Sequence, residues 1–182
     1  SFLTLFAATL IARDRESALL QRLYAAPLTA ADFILGYALP MIPMAAAQSA
    51  VCYLFALFLG LPVTVTILYA VVCIVPVSLL YVALGLLCGS ILNVKQVGGV
   101  CGALLTNAAA WLSGTWFDLA LVGGAFRRVA YALPFVHAVE LERAVLSGNY
   151  PDAFPHFLWV LGYAAVTLLL AVLLFLRQMR RQ

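Results

Sequence analysis

An all-α, polytopic transmembrane helical bundle is predicted from three observations. Of the 182 residues, 66% are hydrophobic and only 9% are charged, with a mean hydropathy of +1.09. Ten Lys plus Arg and seven Asp plus Glu cannot cover a water-facing surface, and a soluble domain of this length cannot hide so much apolar side chain in one core. The charges that exist are gathered into short stretches, leaving several charge-free runs long enough to cross about 30 Å of hydrocarbon as a helix of about 20 residues. The solvent for most of this chain is lipid.

The first apolar run, residues 1–12, stops at Arg13. At about 1.5 Å per residue it is too short to cross, so it reads as the cytoplasmic end of a truncated span, the bundle lacking its first span, although a cleaved signal or a half-span fits the same residues. Residues 13–35 follow as a polar segment of two helices around Pro27. Leu19, Leu20, Leu23 and Tyr24 recur at helical spacing opposite Arg15, Glu16 and Arg22, the pattern of a helix lying flat on a membrane or on a partner. Thr29 with Asp32 forms a capping box, and Leu28 with Phe33 the matching staple, so a second helix starts there.

Full spans are expected at about 36–59, 67–92, 97–116 and 157–176. Pro40 and Pro43 in the first and Pro76 in the second each remove a backbone donor and bend the helix. Gly85 with Gly89, and Gly98 with Gly102, have the spacing that allows close helix approach, and they flank the turn at Lys95, so those two helices are expected to meet there. Residues 117–156 connect the last two spans and are too apolar and too long for a plain loop. Trp111 and Trp116 around Gly114 suit a span that breaks at the lipid interface and turns back. Two short re-entrant helices are expected next. The first carries Phe126, Val129, Ala130 and Leu133 on one face and Arg127, Arg128 and Tyr131 on the other, and ends at Pro134. The second runs from Phe135 to Leu146 with His137, Glu140 and Arg143 at i,i+3 positions. Residues 177–182 are a basic tail.

Arg13, Arg15, Arg22, Lys95, Arg177, Arg180 and Arg181 fall on one side of this threading, and Arg127, Arg128 and Arg143 on the other. By the positive-inside rule the richer side, including the C-terminus, is cytoplasmic. The net charge of +3 comes from too few residues to make a nucleic-acid footprint. Cys52, Cys73, Cys88 and Cys101 stand 21, 15 and 13 residues apart inside apolar runs, as small buried hydrophobes do.

Catalytic and metal chemistry finds no constellation here. The one lysine, Lys95, is followed by Gln96, so no phosphate-binding P-loop is present. His137 and His156 stand nineteen apart without a carboxylate at ligand spacing, so no metal is expected. The four full spans hold no ionisable Asp, Glu, Lys, Arg or His, which argues against proton coupling through them. Their neutral polar residues, Gln48, Ser49, Ser78, Thr106, Asn107 and Thr167, face other helices or a pathway.

Two motifs in this order resemble the ABC-2 type permeases, membrane subunits of bacterial ATP-driven exporters. One is Arg15-Glu16-Ser17 with Leu19, Leu23, Pro27-Leu28 and Phe33-Ile34-Leu35-Gly36. The other is Leu112-Ser113-Gly114, Trp116-Phe117, Leu133-Pro134-Phe135, His137, Glu140-Leu141 and Arg143. Asp118 and Ser17-Ala18 depart from the usual pattern. The resemblance implies a permease in a bacterial cytoplasmic (inner) membrane that pairs with a second permease subunit and exports an apolar or amphipathic substrate. ATP and Mg would be held by a separate ABC ATPase subunit, this chain carrying no cofactor. That subunit would dock on a coupling helix over residues 13–25 through Arg15, Glu16, Leu19, Leu20, Arg22, Leu23 and Tyr24. A pathway would involve Gln48, Ser78, Asn107, Ser113 and Trp116, and Gly114, Pro134, His137, Glu140 and Arg143 would shape the re-entrant segment. A non-transporting membrane anchor or an ATP-independent carrier are the competing readings of the same residues.

Overall fold

The computed structural model describes residues 2–17, 30–60 and 64–179, and all regular structure among them is helical. Helix α1 covers Phe2–Glu16, α2 Ala30–Phe58 and α3 Val65–Ile91. A short α4, Val94–Val97, passes directly into a π-helix, Gly98–Leu104, and then α5, Leu105–Leu112. Helices α6 (Leu119–Val122), α7 (Gly124–Ala132) and α8 (Pro134–Leu146) precede the long α9, Tyr150–Met179. The expected all-helical class is what is found.

Among the described residues three helices are long and apolar enough to cross a membrane: Ile34–Phe58 in α2, Val65–Ile91 in α3 and Tyr150–Leu174 in α9. The expected span at 97–116 is different. Its α-helical bonding is interrupted by the π-helix, where the Leu105 N–H reaches back five residues to the Val100 carbonyl, and helix ends at Leu112 rather than at 116. Three glycines within Gly98–Leu104 lower the α propensity of this stretch and let the wider turn form. The last span also starts earlier than expected, since Pro151 and Asp152 sit in the first turn of α9, where a missing N–H and a negative charge suit a helix N-terminus. Pro40, Pro43 and Pro76 all lie within continuous helix.

The chain divides into two compact units. One comprises Ser1–Met41, Leu79–Thr106 and Ala164–Gln182; the other comprises Ile42–Ser78 and Asn107–Tyr163.

In the first unit, α1 lays a stripe of small residues against its neighbours. Thr4, Ala7, Ala8, Ile11 and Ala12 are all buried. Ala8 and Ala12 share a core cluster with Val97 and Cys101, and Gly85 and Gly89 of α3 meet the same face. A Cβ added at Gly85 would stand 2.7 Å from the Ala7 Cβ and 2.7 Å from the Thr4 carbonyl oxygen; one at Gly89 would stand 2.7 Å from the Ala8 carbonyl oxygen. The glycine pair at 85 and 89 therefore serves contact with α1, not the expected contact with the helix after Lys95, and Gly98 has open space around it. Backbone can approach this closely only where no side chain intervenes. The Thr4 hydroxyl uses the proximity to donate to the Tyr81 carbonyl at 2.8 Å.

In the second unit, Gly114 takes a positive φ of 68° that lets the chain reverse after α5. Asp118, a departure from the family pattern, caps α6 by accepting the Ala120 N–H at 2.9 Å. Leu119, Ala130 and Val136 then form a small core with Leu112, Phe117 and Phe126 packed on it. Of the face expected to be covered on α7, Ala130 is buried, but Val129 is 53% exposed, which costs nothing where lipid is the solvent. Leu133 is extended, as a residue before proline must be, and Pro134 both ends α7 and occupies the first turn of α8.

Gly85→Ala is expected to destabilise the protein by about 1–3 kcal/mol, because the new methyl group must push α1 off α3. Gly98→Ala, in right-handed helical conformation with space to spare, should instead stabilise the protein by about 0.5–1 kcal/mol. Thermal unfolding in detergent of the two variants beside wild type tests both; equal melting temperatures would refute the close contact.

Candidate functional site

Three side-chain constellations stand out. The first lies where α1 ends. Arg15 continues the buried stripe one turn beyond Ile11 and donates from Nη1 to the carbonyls of Gly89, at 2.8 Å, and Leu92, at 3.3 Å. These carbonyls lie at the C-terminus of α3, where helix geometry leaves acceptors without partners and favours a cation. Glu16 accepts the Val94 N–H, the first of α4, at 3.4 Å. Asp14 accepts the Tyr37 hydroxyl at 2.6 Å, tying the end of α1 to the start of α2. Arg13 to Glu16 are thus the last turn of α1, four residues past the expected edge of that span, and Arg15 and Glu16 are occupied within the chain. Leu19, Leu20, Arg22, Leu23 and Tyr24, with most of the expected coupling helix and the Thr29 capping box, lie outside the described residues.

The second constellation is a cavity of about 460 Å³ in the second unit, bordered by Gly114, Trp116, Asp118, Tyr131, Glu140 and Arg143 among others. Arg143 holds it together, donating from Nη1 to Glu140 Oε1 at 2.9 Å and from Nη2 to the Gly114 carbonyl at 3.1 Å. The i,i+3 spacing of Glu140 and Arg143 therefore does form an ion pair. Trp116 is 69% exposed.

The third is a set of polar side chains on the buried side of α8. His137 stacks on Trp159, ring centroids 4.8 Å apart and 11° from parallel. Its Nε2 lies 3.0 Å from the Tyr131 carbonyl and its Nδ1 2.7 Å from His156 Nδ1. A carbonyl can only accept, so Nε2 carries the proton; in neutral His137 the bare Nδ1 accepts from His156. Burial pushes the His137 imidazole below its usual range, His156 adds to this, and the Tyr131 carbonyl and Glu140 pull the other way. On the same helix Glu142 accepts the Tyr53 hydroxyl at Oε2, 3.1 Å away, while its buried Oε1 has no partner. Burial drives the Glu142 carboxyl up to about 7, the Tyr53 hydrogen bond opposing.

The structure brings Gly114, Trp116, Glu140 and Arg143 together at one cavity, and places Pro134 and His137 in the buried part of α8. Ser113 is buried and bonds to the Ala110 carbonyl and Thr115. Ser78 is also buried and returns its hydroxyl to the Ile74 carbonyl of its own helix, at 2.6 Å. Gln48 and Asn107 are exposed on α2 and α5. Sequence reasoning missed Glu142 and Tyr53. The available signal was an acid four residues from Ala138 and three from Val145, both buried, at the edge of an apolar stripe. Among the described residues no group of three or more His, Cys, Asp or Glu is placed to hold a metal ion.

Long apolar helices, polar groups turned back on their own backbone, and a broken helix followed by short helical segments define an integral membrane protein built as a helical bundle. The family model of the ABC-2 type transporter matches residues 1–147, and the chain belongs to that family. It is the permease component of an ABC transporter, not itself an ATPase, and the family implies association with an ABC ATPase and a membrane. The match covers α1 to α8. No curated protein and no solved structure matches the chain.

A carboxyl held above its ordinary value favours the fold in its protonated form. That contribution is complete below about pH 4.5 and is lost as pH rises through about 7. Glu142 faces the Tyr53 hydroxyl, with the Cys52 and Cys73 thiols in the same electrostatic neighbourhood. Between about pH 5 and about pH 8 the wild-type protein should lose on the order of 3 kcal/mol that Glu142→Gln, neutral throughout, does not lose. Melting curves of both proteins across this range check it, and parallel pH slopes would assign the effect to another group.

Proposed function

We propose that this permease exports an apolar or amphipathic substrate, of the drug, lipid or lipid-linked glycan class, using ATP hydrolysed with Mg on a separate ABC ATPase subunit. The carrying observation is the family match over residues 1–147. The charge distribution supports a cytoplasmic C-terminus in a bacterial inner membrane: Arg13, Arg15, Lys95 and Arg177 fall in one compact unit and Arg127, Arg128 and Arg143 in the other. A second permease subunit, identical or related, completes the pathway, with Gln48 and Asn107 exposed on their helices for substrate or partner to reach.

The ATPase docks on the segment that leaves α1, through Leu19, Leu20, Leu23 and Tyr24 with Arg22. Arg15 and Glu16 act one step further in. They grip both sides of the turn between α3 and α4, so a displacement of the docking segment pulls on two helix termini at once. Asp14 and Tyr37 close the other side of the loop.

Full-length permease should co-purify in mild detergent with its ABC ATPase subunit, and Leu19→Glu with Leu23→Glu should lower the recovered ATPase at least about tenfold while the permease stays inserted. Recovery of equal ATPase with both proteins would remove the docking assignment. Recovery of none with either would favour an anchor or carrier.

A further inference from the structure

The cavity of about 460 Å³ in the second unit is walled by polar and aromatic side chains together, and its volume is that of a small-molecule site. Trp111 meets Phe117 edge to face and Trp159 stacks on His137, whereas Trp116 stacks on no ring among the described residues and lines the cavity. Asp118, Tyr131, Glu140 and Arg143 line it too. All five are open to a ligand, Glu140 being half-buried and the others exposed. Their hydrogen-bonding capacity is only partly used. Arg143 gives one N–H to Glu140 Oε1 and one to the Gly114 carbonyl, out of the larger set a guanidinium carries. Glu140 keeps its second oxygen, and so does Asp118, whose Oδ1 accepts the Ala120 N–H.

We infer that this cavity binds an uncharged sugar ring, its C–H face on the Trp116 indole and its hydroxyls on Arg143, Glu140 and Asp118. The inference deepens the exporter reading, and rests on it only in making the sugar part of a cargo. A sugar hydroxyl both donates and accepts, so it needs donors and acceptors side by side. The Glu140–Arg143 pair, 2.9 Å apart and fixed by the Gly114 carbonyl, offers both on the cavity wall. The C–H face of a pyranose carries a slight positive charge, which the electron-rich face of an indole attracts. Charged ligands fit less well. A phosphate or carboxylate meets two carboxylates, Asp118 and Glu140, against one guanidinium that is already paired. An ammonium meets Arg143, and Tyr131 already holds a cation, with Arg127 Cζ 5.6 Å from its ring centroid. A glycolipid headgroup and a free saccharide present the same ring to these groups.

The full-length permease, in phosphatidylcholine nanodiscs without nucleotide or ATPase, is titrated with methyl glucoside, and saturation transfer from protein to sugar protons is read by NMR. Methyl glucuronide and methyl glucosaminide are the comparison probes, anionic and cationic at about pH 6.5. The glucoside should bind wild type at least about fivefold more tightly than either charged analogue does, and at least about tenfold more tightly than it binds Trp116→Ala. Trp116→Phe, which keeps a flat ring, should stay within about threefold of wild type and guards against misfolding of the alanine variant. Equal affinity of wild type and Trp116→Ala, tighter binding of a charged analogue, or no transfer to the glucoside at about 50 mM would each overturn the site. Monoglucosyl diacylglycerol in the nanodiscs should suppress transfer to the soluble glucoside if a headgroup occupies the cavity; transfer that persists assigns the same sugar site to free saccharides. Export and ATP hydrolysis are not read in this assay. Sugar binding without sugar-stimulated ATP turnover in the assembled transporter would keep the site and remove the exporter reading of it.

Discussion

In a hydrocarbon solvent a polar group that finds no partner inside the protein finds none at all, and this constraint orders the whole chain. Hydroxyls within the apolar helices obey it locally. Thr9 bonds to the Leu5 carbonyl, Ser78 to Ile74, Ser90 to Leu86, Thr106 to Cys101 and Thr167 to Ala164. Each of these bonds closes on its own helix, whereas the Thr4 hydroxyl reaches across to the Tyr81 carbonyl. Charged groups that reach across sequence do so from the end of α1 and from the short helices.

That division explains why α1 is so firmly placed. Apart from Leu3 and Ile11 its buried residues are small, and alone those would bury little apolar area. Close backbone approach at Gly85 and Gly89 compensates by multiplying van der Waals contacts. The charged last turn then satisfies helix termini that would otherwise stay bare. Charged residues become a structural tie here because their partners are carbonyls and an amide left open at helix ends.

Residues on either side of α8 show the same principle with a different outcome. Glu140 and Arg143 neutralise each other on its exposed side, and such pairs contribute little stability. Two residues from Glu140, Glu142 is half-buried with a single neutral donor, so its carboxyl resists ionisation. Neighbouring acids on one helix thus differ in chemistry because of a rotation of about 200° between them.

Composition and charge spacing alone determined that this chain is helical and membrane-embedded, since apolar runs of that length admit no other hydrogen-bonded backbone in lipid. The order of Arg15-Glu16, Pro27, Leu133-Pro134 and Glu140 was enough to recognise the family. Local rules also reached the turn at Gly114 and the helix starting near Pro134, because each depends on a few adjacent dihedral angles. What packs against what was beyond them. The glycine spacing at 85 and 89 announced a close neighbour without saying that the neighbour is α1, and no spacing rule joins Glu142 to Tyr53 across 89 residues of sequence. The π-helix between Gly98 and Leu104 likewise widens turns that an uncharged run does not announce. Burial of a single oxygen atom is a property of several helices meeting at one place, and only the tertiary structure decides it.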